Sequence, residues 1–274
     1  MAKDVKSHYN AITDGWRIIF GENFHLGYFK TREENLDQAT TNLIDILAEK
    51  GEISSSSKIL DIGCGIGEPA FYLHEKYQCD ITGITISERG AELAQEANQS
   101  KGNPDKIRFE VADILGDFLP QERFDIIWIM EVSHLIKDKE KLFERSFEFL
   151  KDQGKLLLCD MIAVKEFTAF DVLKRGKEIA TMERVFGKAK TERLESYQQN
   201  LENAGFSDIK TLDVSKNIYP TMQYWRENIN RHRTEISASM SDEQIQDFLK
   251  ACDILENFYN EKFLGYGMVT ALKS

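Results

Sequence analysis

LDIGCGIGEPA, residues 60–70, closes a short apolar run, Lys58–Ile62, and opens a helical stretch, Pro69–Lys76. A strand that ends in glycines and passes straight into a helix is the crevice-forming turn of an open α/β sheet. Gly63 and Gly65 let the backbone bend and let a ligand approach with no Cβ between them. The start of the helix then offers free N–H groups. The dinucleotide fingerprint G-x-G-x-x-G fails, because its third glycine position, counted from Gly63, is Glu68. No Gly-Lys-Ser/Thr follows, which excludes a nucleotide-triphosphate loop. Asp61 and Glu68 disfavour a dianionic ligand and suit one that carries a cationic ammonium group.

Outward from this turn, strands and helices alternate. Strands are expected at Cys79–Ile86, Ile107–Ala112, Phe124–Met130 and Gly154–Met161. Helices are expected at Ser87–Gln99, with Ser87 as N-cap, and at Lys139–Leu150. Strands this apolar, alternating with helices, imply a parallel sheet covered on both faces. Beyond residue 161 the pattern changes. A charged helical stretch, Phe167–Phe186, precedes a helix, Glu192–Ala204, closed by Gly205. A strand at Phe206–Val214, a helical region at Pro220–Tyr259 and a last strand at Phe263–Leu272 follow. The expected fold is α/β, a Rossmann-like, mostly parallel seven-stranded sheet with helices on both faces. An N-terminal helical lid and helical insertions in the C-terminal half complete it. Val164–Glu192 and Pro220–Tyr259 read as two helical blocks laid over one edge of the core. The 274 residues are expected to form one domain: a lid at 1–50, a cofactor-binding core at 58–161, and substrate-side helices and last strands at 162–274.

Lys+Arg 35 against Asp+Glu 46 gives a net charge of -11. That balance opposes nucleic acid and anionic membrane surfaces as partners and leaves a small molecule as the expected one. No apolar run is long enough to span a bilayer, and the N-terminus lacks the apolar stretch of a signal peptide. Cys64, Cys79, Cys159 and Cys252 are scattered, with no CxxC pair, so reduced thiols, no metal site and a cytoplasmic location are expected. The oligomeric state is left open.

The ordered motifs of 58–161 resemble the class I S-adenosylmethionine-dependent methyltransferases. LDIGCGIG looks like that family's first motif and implies Asp61, Gly63 and Gly65 as cofactor-binding residues. Thr85 and Ser87 fall beside the ribose, and the ADIL stretch brings Asp113 and Ile114 to the adenine. Gly90 departs from the pattern, since relatives often offer a glutamine there for the ribose. Glu131 and His134, in MEVSH, fall where substrate-facing residues lie, and GKLLLCD looks like the motif of strand five. HYNAITDGWRIIFGENFHLGYF, residues 8–29, resembles the opening of the sterol, tocopherol, cyclopropane-fatty-acid and phosphoethanolamine branch. FGENF is nearest to the phosphoethanolamine enzymes. In that branch the N-terminal segment folds over the cofactor, which puts Trp16 and Tyr28 at the cofactor. The resemblance also implies a tyrosine and a histidine working together at the methyl group, by position Tyr9 and His134.

The chemistry agrees with that pairing. Aromatic faces tolerate a sulfonium by cation–π attraction. A histidine is the natural base near neutral pH, and Glu131 can orient it or contact the substrate. His25, Phe24, Met182, Tyr219 and Trp225 are expected to line an apolar substrate pocket. Residues 196–225 look like methyltransferases of small natural products. The expected function is transfer of a methyl group from S-adenosylmethionine, leaving S-adenosylhomocysteine, to an N, O or C atom of a small metabolite. One alternative is a phosphoethanolamine- or lipid-type methyltransferase, with phosphate-binding candidates Lys174, Arg175, Lys177, Arg184, Arg226, Arg231 and Arg233. The other is a methyltransferase-fold cyclase or isomerase that keeps the cofactor without moving the methyl.

Overall fold

The apolar runs form seven strands: β1 (Lys58–Ile62), β2 (Asp80–Thr85), β3 (Ile107–Val111), β4 (Phe124–Met130), β5 (Leu150–Ala163), β6 (Ser207–Asp213) and β7 (Leu264–Leu272). The structure, a computed structural model, describes residues 2–102, 105–116 and 118–274. The sheet runs β3-β2-β1-β4-β5-β7-β6. β1 to β5 are parallel where they pair, and β7 is antiparallel to β5 and β6. The expected mostly parallel seven-stranded sheet is therefore present.

Successive side chains of a strand point to opposite faces, so each strand feeds two cores. Leu60, Ile62, Ile127, Ile129, Leu156 and Leu158 face one layer. There they meet α5 (Lys139–Phe149) and α7 (Leu194–Asn203) through Leu142, Phe143, Tyr197 and Leu201. Ile59, Ile126, Trp128, Leu157 and Cys159 face the other. That layer includes α2 (Leu36–Ala48), α3 (Glu68–Tyr77) and α4 (Glu88–Lys101). Each fully buried Leu or Ile stabilises the fold by about 1.5–3 kcal/mol relative to exposure.

The first fifty residues are not one helical unit. α1 (Ala2–Phe20) packs on α4, α8 (Thr221–Arg231) and α9 (Arg233–Ile236). Residues 21–35 are irregular. α2 packs on β5 and buries Leu43, Ile44 and Leu47, so it belongs to the core layer. The region Pro220–Tyr259 divides into α8, α9 and α10 (Asp242–Asn260). Ser241 starts α10 with a capping box to Gln244, which ends the preceding chain direction. α6 (Ala169–Phe186) packs along α10, so the two expected helical blocks meet each other, and α10 rests on β7. No helix among the described residues is long and apolar enough to cross a membrane.

Candidate active site

The strand order reverses between β1 and β4, and the crevice beyond their carboxyl ends is where an open α/β sheet binds ligands. A cavity of 340 Å³ lies there. Gly63 and Gly65 leave β1 with φ of +79° and +55°. A Cβ on Gly63 would stand 2.5 Å from Val132 Cγ2, so only glycine lets the loops after β1 and β4 come this close. A Cβ on Gly65 would meet nothing within 4 Å, which leaves an open side along the cavity.

At the end of β2, the Ser87 N–H donates to Thr85 Oγ1 at 3.2 Å. Ser87 Oγ caps α4 by accepting from the Gly90 N–H at 3.0 Å, as its N-cap position predicts. The same hydroxyl donates to Asn10 Oδ1 of α1 at 2.8 Å, which fastens the N-terminal helix to the cavity rim. Gly90 lines the cavity, and a Cβ there would lie 2.9 Å from the Gly65 carbonyl oxygen. After β3, Asp113 Oδ1 accepts from the Leu115 N–H at 2.9 Å, and Asp113 and Ile114 both face the cavity.

β4 delivers the titratable groups. Glu131 has φ +50°, a left-handed conformation uncommon outside glycine. Its Oε1 accepts from the Leu26 N–H and from the Tyr266 hydroxyl, each at 2.7 Å. Burial pushes its carboxyl up to about 7, against the pull of these two donors. His134 follows on a single 3₁₀ turn, Ser133–Leu135. Its Nδ1 lies 2.6 Å from Asp160 Oδ1 on β5, and its backbone N–H donates to Asp160 Oδ2 at 2.9 Å. Ser133 Oγ donates to Oδ2 at 2.5 Å and the Met161 N–H to Oδ1 at 2.7 Å. Burial alone would lower the imidazole pKa, but the adjacent Asp160 carboxylate outweighs it and holds His134 above its ordinary value. Burial would raise Asp160, but His134 and the surrounding donors hold that carboxyl below its ordinary range.

The opposite wall is aromatic. Tyr9, Trp16, Phe20 and Phe24 of the N-terminal segment meet Phe186 and Trp225 there. Trp16 and Phe20 have ring centroids 4.9 Å apart, and Phe20 and Trp225 4.4 Å. Burial, then the charges of Glu131 and Asp160, push the Tyr9 hydroxyl well above its ordinary pKa, so it is a neutral phenol. A smaller cavity of 40 Å³ adjoins the first, sharing Phe24, Gly63, Gly65, Ile66 and Met130 as walls. Asp61 and His25 line it. Asp61 Oδ2 and His25 Nε2 are buried and have no hydrogen-bond partner.

The structure thus brings Tyr9, Trp16, Phe24, Gly63, Gly65, Thr85, Ser87, Asp113, Ile114, Glu131, His134 and Trp225 to one cavity. His25, expected on the substrate side, lies beside Asp61 instead. Tyr28, Met182 and Tyr219 line neither cavity. Tyr28 is drawn away by its backbone, whose N–H donates to the Ala39 carbonyl and whose carbonyl accepts from Asn42. Met182 packs half-buried against the core, and Tyr219 is exposed. The sequence does not mark Asp160 or Tyr266, nor Thr13 and Leu255 of the cavity wall. None of the seven phosphate-binding candidates lines the cavity. Arg175 pairs with Glu178 and Glu261, Arg184 with Asp247, Arg226 with Asp253 and Glu256, and Arg233 with Asp242. The lysines that do line it are Lys137 and Lys188.

These residues fit S-adenosylmethionine. The open side of Gly65 admits its chain, the unpartnered Asp61 carboxylate suits its ammonium group, and the aromatic wall suits a sulfonium. Among the described residues, no group of three or more His, Cys, Asp or Glu could hold a metal ion.

The sequence matches the family model described as mycolic acid cyclopropane synthetase over residues 1–263. It is 28% identical to 27-O-demethylrifamycin SV methyltransferase of Amycolatopsis mediterranei, over 98% of this chain and 97% of that protein. It is 29% identical to a phosphoethanolamine N-methyltransferase of Triticum aestivum, over 77% of this chain but 39% of that protein. The fold superposes on a mycolic acid cyclopropane synthase complexed with S-adenosylhomocysteine with a TM-score of 0.88, at 18% identity, covering 99% of this chain and 98% of that one. The family match across nearly the whole chain, on a fold and a crevice of this kind, makes the protein a member of the mycolic acid cyclopropane synthetase family of S-adenosylmethionine-dependent methyltransferases.

Proposed function

We propose that this enzyme methylates a hydroxyl oxygen of a largely apolar small metabolite, with His134 as general base. One observation carries the choice of oxygen, the His134 Nδ1–Asp160 Oδ1 contact of 2.6 Å, in a cavity whose opposite wall is aromatic. A neutral amine already offers a lone pair, and an alkene carbon bears no acidic proton. An alcohol holds its proton at neutral pH and must lose it as the new bond forms, so it gains most from an oriented base.

S-adenosylmethionine supplies an electrophilic methyl group. The chain supplies the rest. Asp160 fixes the proton on Nδ1, so Nε2 keeps its lone pair and takes the hydroxyl proton while the oxygen takes the methyl. The imidazolium that forms is stabilised by the Asp160 carboxylate. Asp160 acts through His134 and is a positioning residue. Tyr9, kept neutral, donates a hydrogen bond to the substrate oxygen. α1 and residues 21–29 form the lid that excludes water. The cavity holds none of the arginine candidates, and its cations are Lys137 and Lys188. A relative named as a 27-O-demethylrifamycin SV methyltransferase, matched over 98% of this chain, favours the same reading.

The test is incubation with methyl-labelled S-adenosylmethionine and pools of hydroxylated, amine and alkene metabolites. Label in an O-methyl product is expected. Label only in N- or C-methyl products would overturn the choice of oxygen. Conversion of a substrate without label would favour cyclisation or isomerisation instead.

A further inference from the structure

Lys139, the first residue of α5, is 3% exposed. Lysine is almost never buried this far unless its charge is met, and a cation at a helix N-terminus opposes the helix dipole. A residue held here against both costs calls for a role. Its Nζ donates to the Ile136 carbonyl at 2.6 Å and to the Lys190 carbonyl at 3.1 Å. The Lys190 N–H donates in turn to the His134 carbonyl at 2.7 Å. These bonds join the 3₁₀ turn that carries His134, the start of α5 and the irregular segment 187–193. His134 is thereby held on both sides of its backbone, its N–H by Asp160 and its carbonyl by Lys190. Phe186 and Lys188, on either side of Gly187, line the cavity, so the same bonds fix that stretch of its wall.

Charge gives Lys139 a second effect. Burial lowers its pKa to about 8, while Asp160 and Glu192 hold it up, so it is charged at neutral pH. At His134, burial disfavours the imidazolium, Asp160 from β5 and Glu131 from β4 favour it, and Lys139 from α5 opposes them. The other groups facing this corner carry no free charge. Tyr9 across the cavity and Tyr197 of α7, bonded to Ser133, are neutral phenols, and Lys190 pairs with Glu192 at 2.8 Å. A base must give up its proton between turnovers. With the two acids unopposed, His134 would keep that proton to higher pH.

We propose that Lys139 is a positioning residue for His134: its buried ammonium clasps the turn of His134 to segment 187–193, and its charge opposes Asp160, so that the imidazole is both aimed and able to release its proton. This rests on the reading of His134 as the base. Lys139 does not line the cavity and acts through His134.

The test is the titration of the His134 imidazole, followed by nuclear magnetic resonance on the intact chain with labelled histidine and assigned by the signal lost in His134→Ala. Lys139→Met removes the charge and both bonds, whereas Lys139→Gln removes the charge and keeps a donor. In both, His134 is expected to bind its proton at least about threefold more tightly than in the parent chain. Lys139→Arg keeps the charge and is expected to stay within about twofold of the parent. The glutamine variant also stands in if the methionine variant does not fold. An unmoved titration in Lys139→Met or Lys139→Gln, or an equal shift in Lys139→Arg, would overturn the inference and make Lys139 structural only. Methyl-label transfer undiminished in His134→Ala would overturn the base reading instead, with the effect of Lys139 on the titration intact.

Discussion

His134 and Asp160 are 26 residues apart and meet because β4 and β5 are paired neighbours, Met130 lying beside Cys159. His134 was legible, since a histidine just past an apolar strand stands where a ligand-facing crevice forms. Asp160 sat in full view at the end of GKLLLCD, but only sheet pairing gives it a partner. Replacing His134 by alanine is expected to lower kcat about 100- to 10,000-fold, with the affinity for S-adenosylhomocysteine changed less than about threefold. Equal losses in both would make His134 structural. The pH dependence follows from the sign of the shift. The base must be unprotonated, and Asp160 holds His134 above its ordinary value of 6.5. The rate is therefore expected to rise with pH through a pKa above 6.5. Asp160→Asn removes the charge that retains the proton, so that pKa should move down while the plateau rate falls. A profile unmoved by this variant would separate His134 from the titrating step.

At the scale of elements, the chain before β1 does two jobs. α2 is pinned to the sheet, whereas α1 touches the core mainly through other helices and through Asn10, which bonds Ser87, Glu88 and the Arg89 N–H. α1 buries Ile12, Trp16, Ile19 and Phe20 mainly against other helices, and residues 21–27 carry no regular structure of their own. Hydrogen exchange is expected to slow in α1 and residues 21–27 when S-adenosylhomocysteine binds, with α2 unchanged. Equal protection of both helices in the free protein would deny α1 its role as a lid. The helix was legible from its aromatic content, but its partners were not. A run such as Trp16–Phe20–Phe24 says that a surface must be covered, and which surface depends on Phe186 and Trp225 from far along the chain. The division of 220–259 into three helices was equally hidden. Its signal, Ser241 capped by Gln244, is local, but it is submerged in a stretch that is helical on both sides.

Across the whole molecule, Glu131 joins three distant parts of the chain, the Leu26 backbone, the end of β4 and Tyr266 on β7. A seven-stranded order with β7 between β5 and β6 brings Tyr266 within reach, and no local pattern announces that. The cost of building such a site is visible in its titration. Burial raises Glu131 from 4.5 to about 7 and Asp61 from 3.8 to about 7. An acid whose pKa is higher folded than unfolded binds more protons in the folded state, so its contribution to stability falls as pH rises between the two values. His134, also raised, loses its contribution as pH climbs through its folded pKa. Asp160 acts in the opposite sense, but only in the acid range below 3.8. Glu131, Asp61 and His134 therefore push the same way, but His25, lowered by burial to about 4, pushes the other way between about 4 and 6.5. The fall is thus uncovered above 6.5, where the net charge of -11 adds repulsion. The Tm of the cofactor-free protein is expected to fall between pH of about 6.5 and about 7.5, followed by thermal melts in buffers of constant ionic strength. Glu131→Gln keeps an acceptor for Leu26 and Tyr266 while removing the charge, so it should flatten that fall. Saturating S-adenosylhomocysteine should flatten it further, because an ammonium group beside Asp61 makes the ionised carboxylate the favoured form. A Tm that rises across this range in the cofactor-free protein would mean that neither carboxyl is protonated in the folded state, and the ammonium site would then be a preformed anion.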